Sequence, residues 1–526
     1  MKIRLVQSVP VRITTLSISL LAAVGCAVDD GELEAEEVES TSQEIYISQS
    51  FVTAAKPFVV ATTAEYAMQP LLSVGDRIPE TSNPHKEFQL VGIPDGMGMH
   101  KLPRGQKALY VNHELVQAAV SEPVIGEPLN RGAFVSKIVL ARDGRVLSGE
   151  RAYDTVWNES EYAGPAADTS NSTRGFARFC SGSLSWKDAG FDRPIFFAGE
   201  ESGGAATFDG LGGLGIAIFD NELHTLPKFG RFPWEQTIAQ PKPGNRTVLI
   251  GMEDGPPTPD SQLYLYVGEK DPSRRANGMR RNGLDNGKMY VLIGDDAALN
   301  NEVAVQSGSF TAHWAEIEAP ETLTDVQLEA ASDALGAFGF IRTEDGAFNP
   351  KNPNEYYFVT TGGGVGNLLG RMYKATFSDD VLGPVTIEMI YNGDTVAAAG
   401  GDIAFAPDNI DTDGTYVMVQ EDGTTQSRIE YASRSRDGSV WRFDIAKGHA
   451  ATRIAELNPP GRNGVAVLPG IWETSGIIAT PAFGQDSWLM NVQGHSPSTA
   501  PAANTVEDGQ IVLMRRTQFD ALVSDE

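Results

Sequence analysis

The sequence predicts an all-β protein, a β-propeller with inserted loops and short helices; the repeat length allows about six to eight blades, and a six-bladed ring is expected. Two observations carry this reading. Glycine, 55 residues, and proline, 30 residues, are spread along the chain rather than clustered, as many short strands joined by tight turns require. Four segments also repeat one plan: an apolar strand, an acidic or glycine-rich rim, then a second strand rich in aromatics. They are "IFFAGEESGG…LGIAIFD", "TVLIGMEDGPP…QLYLYVG", "YYFVTTGGGVGNLLGRMYKATF" and "YVMVQEDGTT…GSVWRFDI", with first strands beginning near residues 195, 247, 356 and 416. A repeat of about 50 to 60 residues made of strands and turns is the mark of propeller blades. The second interval is about twice the others, which predicts a diverged copy between 247 and 356. Helical periodicity is confined to "APETLTDVQLEAASDALGAF" near residue 320, expected in a loop or between strands.

Residues 1–25 carry Lys2, Arg4 and Arg12 with no acid, followed by the apolar run "ITTLSISLLAAVGCAV", the layout of a secretory signal. The run is too short for a lasting transmembrane helix. Small residues before Cys26 resemble a bacterial lipoprotein signal, which predicts lipidation of Cys26 and a place in the bacterial cell envelope, anchored to the outer membrane, or secretion. Residues 26–45 include "VDDGELEAEEVESTSQE", eight acids without a base, and read as a disordered tether. Residues 46–526 then form a single propeller domain. Arg12 has no arginine neighbour, so export before folding is expected, with any metals acquired outside the cytoplasm.

The formal net charge is −28 and becomes about −31 once the signal is removed. Such a chain is unsuited to nucleic acid, whose phosphates need clustered Lys and Arg; acids that converge instead hold cations. Convergence is what a propeller provides. Three of the repeated strands end in paired acids: Glu200-Glu201, Glu253-Asp254 and Glu421-Asp422. Carried at one end of innermost strands, such pairs would face one another across the channel, and their repulsion would demand cations. Calcium suits several carboxylate oxygens, whereas seven scattered histidines weaken a zinc site.

Cys26 and Cys180 are the only cysteines, so a lipidated Cys26 leaves Cys180 without an intramolecular partner. Two readings stay open for it: a small buried hydrophobe, or a metal thiolate or nucleophile. The chain has no G-x-S-x-G, no G-x-x-x-x-G-K-[ST] and no H-E-x-x-H. "NIDTDG" (409–414) imitates half an EF-hand loop, but Gln420 stands where the closing Glu belongs, so it reads as a turn. "RRANGMRRNG" (274–283) reads as a solvated loop.

Eight pieces in order, "NHE" (112–114), "RFCSGSLSW" (178–186), "GEESGG", "GRFPWEQ" (230–236), "GMEDG", "FIRTEDGAFNP" (340–350), "FAPDN" (405–409) and "WETSGI" (472–477), resemble the PhoX-type alkaline phosphatases. The resemblance implies a β-propeller hydrolysing phosphate monoesters at a site of ferric (Fe3+) and calcium (Ca2+) ions at one end of the channel. It implies Cys180 as an iron ligand, Glu235 and Glu344 as iron-site carboxylates, and Arg342 on the substrate phosphate. Glu200, Glu201, Glu253, Asp254, Asp408, Glu421 and Glu473 form the pool for the remaining ligands. This sequence has Thr343 and Trp234 where the family usually has proline and often histidine. Small phosphorylated substrates, a membrane contact only through the lipid, and a monomer are expected. Two other readings of the propeller are a calcium-dependent lactonase, esterase or phytase-like hydrolase, and a non-catalytic binding protein.

Overall fold

The computed structural model describes residues 51–423, 425–459, 467–495 and 502–517, with backbone only for 425–428. The signal, Cys26 and the acidic tether lie outside the described residues. Ser48–Glu526 is one compact unit.

Six strands line a central axis: Pro94–Lys101, Ser183–Ser185, Trp234–Ala239, Thr343–Phe348, Pro407–Thr412 and Glu473–Ala479. Each touches the next, and the last returns to the first, so they form a closed circuit. From each, an antiparallel meander runs outward. The circuit is closed by the two ends of the unit: Tyr66–Ser73 pairs antiparallel with Asp508–Arg516, Tyr66 opposite Arg516 and Ser73 opposite Gln510. Closure of this kind removes the exposed edges that an open sheet would leave.

The second strand of each meander is sandwiched between neighbours and is correspondingly apolar. Every residue of Ile195–Gly199 and of Ser487–Gly494 is buried. The core is a set of layers between meanders: Ile250 and Leu265 of one pack with Phe358 and Tyr373 of the next. Trp234 is a fully buried pillar, stacked 3.9 Å from Phe232 with its indole N–H donated to the Gly213 carbonyl. Gly199 must be glycine beside it, because a Cβ there would lie 2.4 Å from the Trp234 Cβ.

Two expectations are corrected. The repeated strands that end in acids, Ile195–Gly199, Arg246–Glu253 and Tyr416–Glu421, are second strands, not innermost ones. Their apolar runs made them conspicuous because they are buried on both faces. The long interval after residue 247 also holds no diverged copy. It is filled by Lys288–Gly294, the added strand Ser309–Ile317 and a helix; the added strand pairs with Val385–Asn392 and joins two meanders into one nine-stranded sheet.

The helix, Asp325–Leu335, falls in the segment whose periodicity predicts it. A capping box between Thr324 and Gln327 starts it and Gly336, in the left-handed region, ends it. "NIDTDG" ends in a turn in which Asp413 Oδ1 accepts from the N–H groups of Thr415 and Tyr416. The basic cluster forms the short helix Gly278–Arg281, with Arg280 and Arg281 paired to Asp285 and Asp192.

Candidate metal centre

The inner strands are irregular where they begin. Register shifts fall between Pro94 and Met97, Trp234 and Gln236, Thr343 and Gly346, and Pro407 and Ile410. A bulge adds a residue outside the ladder and re-aims a side chain; here the re-aimed residues include Asp95, Glu235, Glu344 and Asp408. A second device recurs with it. Ile93, Arg178, Arg342 and Ala406 have φ of 53°, 45°, 56° and 44°, and each stands two residues before Asp95, Cys180, Glu344 or Asp408. Non-glycine residues in this region are strained, and such strain gathers where the backbone must present a functional group.

The result is a cavity of about 250 Å³ on the axis, lined by seven carboxylates (Glu114, Glu201, Glu235, Glu344, Asp408, Asp422, Glu473), Cys180, Arg178, Arg342, Gln493 and His495. Around this cavity, among the described residues, possible ligand atoms fall into four groups, each spanning no more than 4.8 Å: Asp95, Glu114 and Cys180; Cys180, Glu201 and Glu235; Glu235, Glu344 and Asp408; Asp408, Asp422 and Glu473. Cys180, Glu235 and Asp408 each belong to two groups, so the four form one continuous arc.

Burial disfavours the charged forms of most groups in this arc. Burial, then the charges of Asp95 and Glu235, push the Cys180 thiol well up, and its one S–H has two acceptors within reach, Asp95 Oδ2 at 3.2 Å and Glu235 Oε1 at 3.3 Å. Burial, with Glu114 nearby, pushes Asp95 up to about 8. Burial, with Asp254 nearby, does the same to Glu344. Glu201, Glu235, Asp408 and Asp422 are raised for the same first reason. Glu473 is the exception: burial opposes its charge, but His495, with Nε2 3.8 Å away, holds it down at about 2. Neighbours fix the orientations. Ser181 Oγ donates to Glu235 at 2.6 Å, Ser475 Oγ to Asp95 at 2.6 Å, and Gln493 to both Asp95 and Glu114.

These residues fit multivalent cations. Asp408 Oδ1 is buried with no hydrogen-bond partner, although a carboxylate oxygen in that position needs a donor or a cation. Seven carboxylates face two arginines. Hard carboxylate oxygens suit hard multivalent cations, and the single thiolate among them adds a donor for a transition ion.

Arg342 forms the polar wall opposite. Its Nε and Nη2 donate to the two oxygens of Asp254 at 2.9 and 3.0 Å, and Nη2 lies 3.1 Å from Glu344. Nη1 is 3.7 Å from Asp422, longer than a hydrogen bond. Arg178 is braced by Glu114 and Glu201, each at 2.7 Å.

Of the residues singled out from sequence, Cys180, Glu201, Glu235, Glu344, Asp408, Glu473 and Arg342 line the cavity, and Asp254 holds Arg342. Glu200, Glu253 and Glu421 are placed elsewhere. Glu200 accepts from the N–H groups of Ala177, Phe208 and Leu214. Glu253 accepts from the Gln262 N–H. Glu421 is locked to Arg436 by hydrogen bonds of 2.6 and 2.8 Å. Successive strand residues point to opposite faces, so in each acid pair the first member enters the meander, while the second lines the cavity, as Glu201 and Asp422 do, or holds Arg342 at its edge, as Asp254 does. Asp95, Glu114, Arg178, Gln493 and His495 are missed by the sequence reading, and Asp422, although named in an acid pair, is left out of its ligand pool. The pair rule would have found Asp422, and Glu114 stands in the quoted "NHE".

Fold and cavity together define a β-propeller with an acidic, thiol-bearing axial centre. The sequence model of the PhoX alkaline phosphatases matches residues 221–494, and the chain belongs to that family of phosphatases. Its fold is similar to that of PhoX from Pseudomonas fluorescens, solved in complex with vanadate, a transition state analogue. The TM-score is 0.63 at 14% identity, over 89% of this chain and 97% of that one. Much weaker likenesses, both with a TM-score of 0.35, are to an α-L-arabinofuranosidase from Fusarium graminearum (12% identity, 85% of this chain, 98% of that one) and a luciferin-regenerating enzyme (8% identity, 82% and 94%). No curated protein matches the chain in sequence.

Proposed function

We propose that this six-bladed propeller, counting the nine-stranded sheet as two blades, hydrolyses phosphate monoesters at a centre of ferric and calcium ions. The observation that carries the reading is the meeting in one cavity of Arg342, Cys180 and the arc of carboxylates. Cys180, Glu235 and Glu344 would hold iron, and Glu201, Asp408, Asp422 and Glu473 are the oxygens for the remaining ions. When bound, such ions neutralise phosphate oxygens and lower the pKa of a water.

The protein's own groups supply the rest. Arg342 Nη1 binds a phosphate oxygen, and the Asp254 clamp fixes the guanidinium plane so that little freedom is lost on binding. Arg178, across the cavity, offers a second cation of fixed orientation. Ser181, Ser475 and Gln493 keep the carboxylates turned inward. Without cations only the two arginines are left to neutralise the phosphate and nothing activates a water, so activity requires the metals.

The N-terminal features support an envelope lipoprotein attached through Cys26, monomeric and meeting the membrane only through its lipid. The decisive experiment for the activity is p-nitrophenyl phosphate turnover with vanadate as inhibitor. The reading expects turnover that vanadate suppresses and that Arg342→Ala lowers at least a hundredfold in kcat/KM. Hydrolysis of lactones or carboxylic esters with no phosphatase turnover would replace it with the lactonase reading.

A further inference from the structure

Arg342 lines two cavities. Besides the acidic centre, it forms part of the wall of a neighbouring cavity of about 400 Å³. The lining of that second cavity is different in kind: Pro257, Leu368, Leu369, Phe405 and Ile429 supply most of its side chains, and among the described residues Glu430 is the one charged group besides Arg342. Gly362 and Gly363, with φ of 81° and 84°, leave another part of it without side chains.

Leu368 and Ile429 stand 53% and 72% exposed at this cavity. Apolar side chains left facing water around a concavity mark a place where an apolar group docks. The acidic centre has no use for them, since its own walls are carboxylates, a thiol and arginines.

We infer that this cavity receives the organic part of the substrate, and that the preferred substrates are phosphate monoesters of aromatic or otherwise apolar alcohols. The inference rests on the phosphatase reading and deepens it. A phosphate held at Arg342 must direct its ester substituent away from the carboxylates, where an apolar group would be opposed by bound water and charge. The cavity that shares Arg342 is the neighbouring space, and its volume admits one or two rings. The guanidinium, held flat by Asp254, also gives a ring a face to stack on. An ester with a hydroxylated substituent finds no comparable set of polar partners among these side chains.

The test compares two alkyl esters matched in leaving ability, 3-phenylpropyl phosphate and 3-hydroxypropyl phosphate, on the metal-loaded full chain. A preference for the phenylpropyl ester of about tenfold in kcat/KM, expressed mainly in KM, is expected. Leu368→Asn and Ile429→Gln are each expected to cut that preference severalfold; both residues are exposed enough for the variants to fold. A ratio near one, or a ratio that neither variant changes, overturns the inference while leaving the phosphatase reading intact. Hydrolysis of neither ester, nor of p-nitrophenyl phosphate, overturns that reading and this inference with it.

Discussion

Asp254 grips Arg342 with both carboxylate oxygens, at 2.9 and 3.0 Å, and so fixes the one guanidinium that borders both the acidic centre and the apolar cavity. Asp254 closes a second strand of its meander and Arg342 sits at the strained residue before an inner strand, so the grip ties two neighbouring meanders together at the rim. Asp254→Asn keeps the size but loses the charge. Steady-state kinetics on a phosphate monoester should show kcat/KM lowered about tenfold, mainly through KM, with a metal content equal to that of the natural protein. A fall in metal content instead would make Asp254 a ligand.

Cys180 is the residue shared by two of the four ligand groups at one end of the arc. Cys180→Ser should lower bound iron to a small fraction of the natural amount and reduce turnover at least a hundredfold, because a serine hydroxyl is a poor thiolate substitute. Calcium should be retained at the groups built from Asp408, Asp422 and Glu473. Elemental analysis separates these outcomes, and unchanged iron would remove Cys180 from the centre.

Glu421 carries a different burden. It is fully buried, paired with Arg436, and accepts further hydrogen bonds from Trp441 Nε1 and the Ser439 N–H. Removing one partner of such a pair strands the other, at a cost of about 3–5 kcal/mol. Arg436→Met should therefore lower the denaturation midpoint markedly while metal content per folded molecule stays the same.

Asp437 gives a pH dependence with a defined sign. Burial pushes its carboxyl up to about 6, against the N–H groups of Gly470 and Gly438 that Oδ1 accepts. The unfolded group titrates near 3.9, so the folded protein retains a proton that the unfolded chain releases between about pH 4 and 6. Stability from this group is thus lost as pH rises through that window. Asp437→Asn keeps the Oδ1 acceptor and removes the titration. Urea denaturation should find the variant equal to the natural protein below pH 4 and more stable at pH 7, by on the order of 1–2 kcal/mol; a variant less stable at pH 7 would refute the account of this group.

The all-β class, the repeat and the helix at residue 325 were legible because each rests on local pattern: apolar runs, turn residues and one capping box. The place of the repeated strands was not. A strand buried on both faces reads the same whether it is first or second in a meander, so the pattern points the acids at 200, 253 and 421 to the axis, whereas Glu201 and Asp422 line the cavity and Asp254 reaches Arg342. The lining acids Glu235, Glu344 and Asp408 were named through family resemblance, since nothing in their composition reveals a bulge. Asp95 escaped because what makes it part of the centre is contact across the ring, with Ser475 and Gln493, 380 and 398 positions away, and His495 because its place rests on the ion pair with Glu473. The long interval misled for a simpler reason: an inserted strand and helix lengthen a repeat as readily as a worn-down copy does.

The measurement that bears most directly on the central claim is the metal content of the protein purified without chelator, taken together with its turnover of p-nitrophenyl phosphate before and after chelation. The account predicts iron and calcium together, turnover lost on chelation and restored on refilling, and a melting temperature several degrees lower in the stripped protein, as expected when ions that bind only the folded state are withdrawn. A protein that turns over phosphate esters equally well when stripped, or that holds calcium and never hydrolyses them, would contradict it.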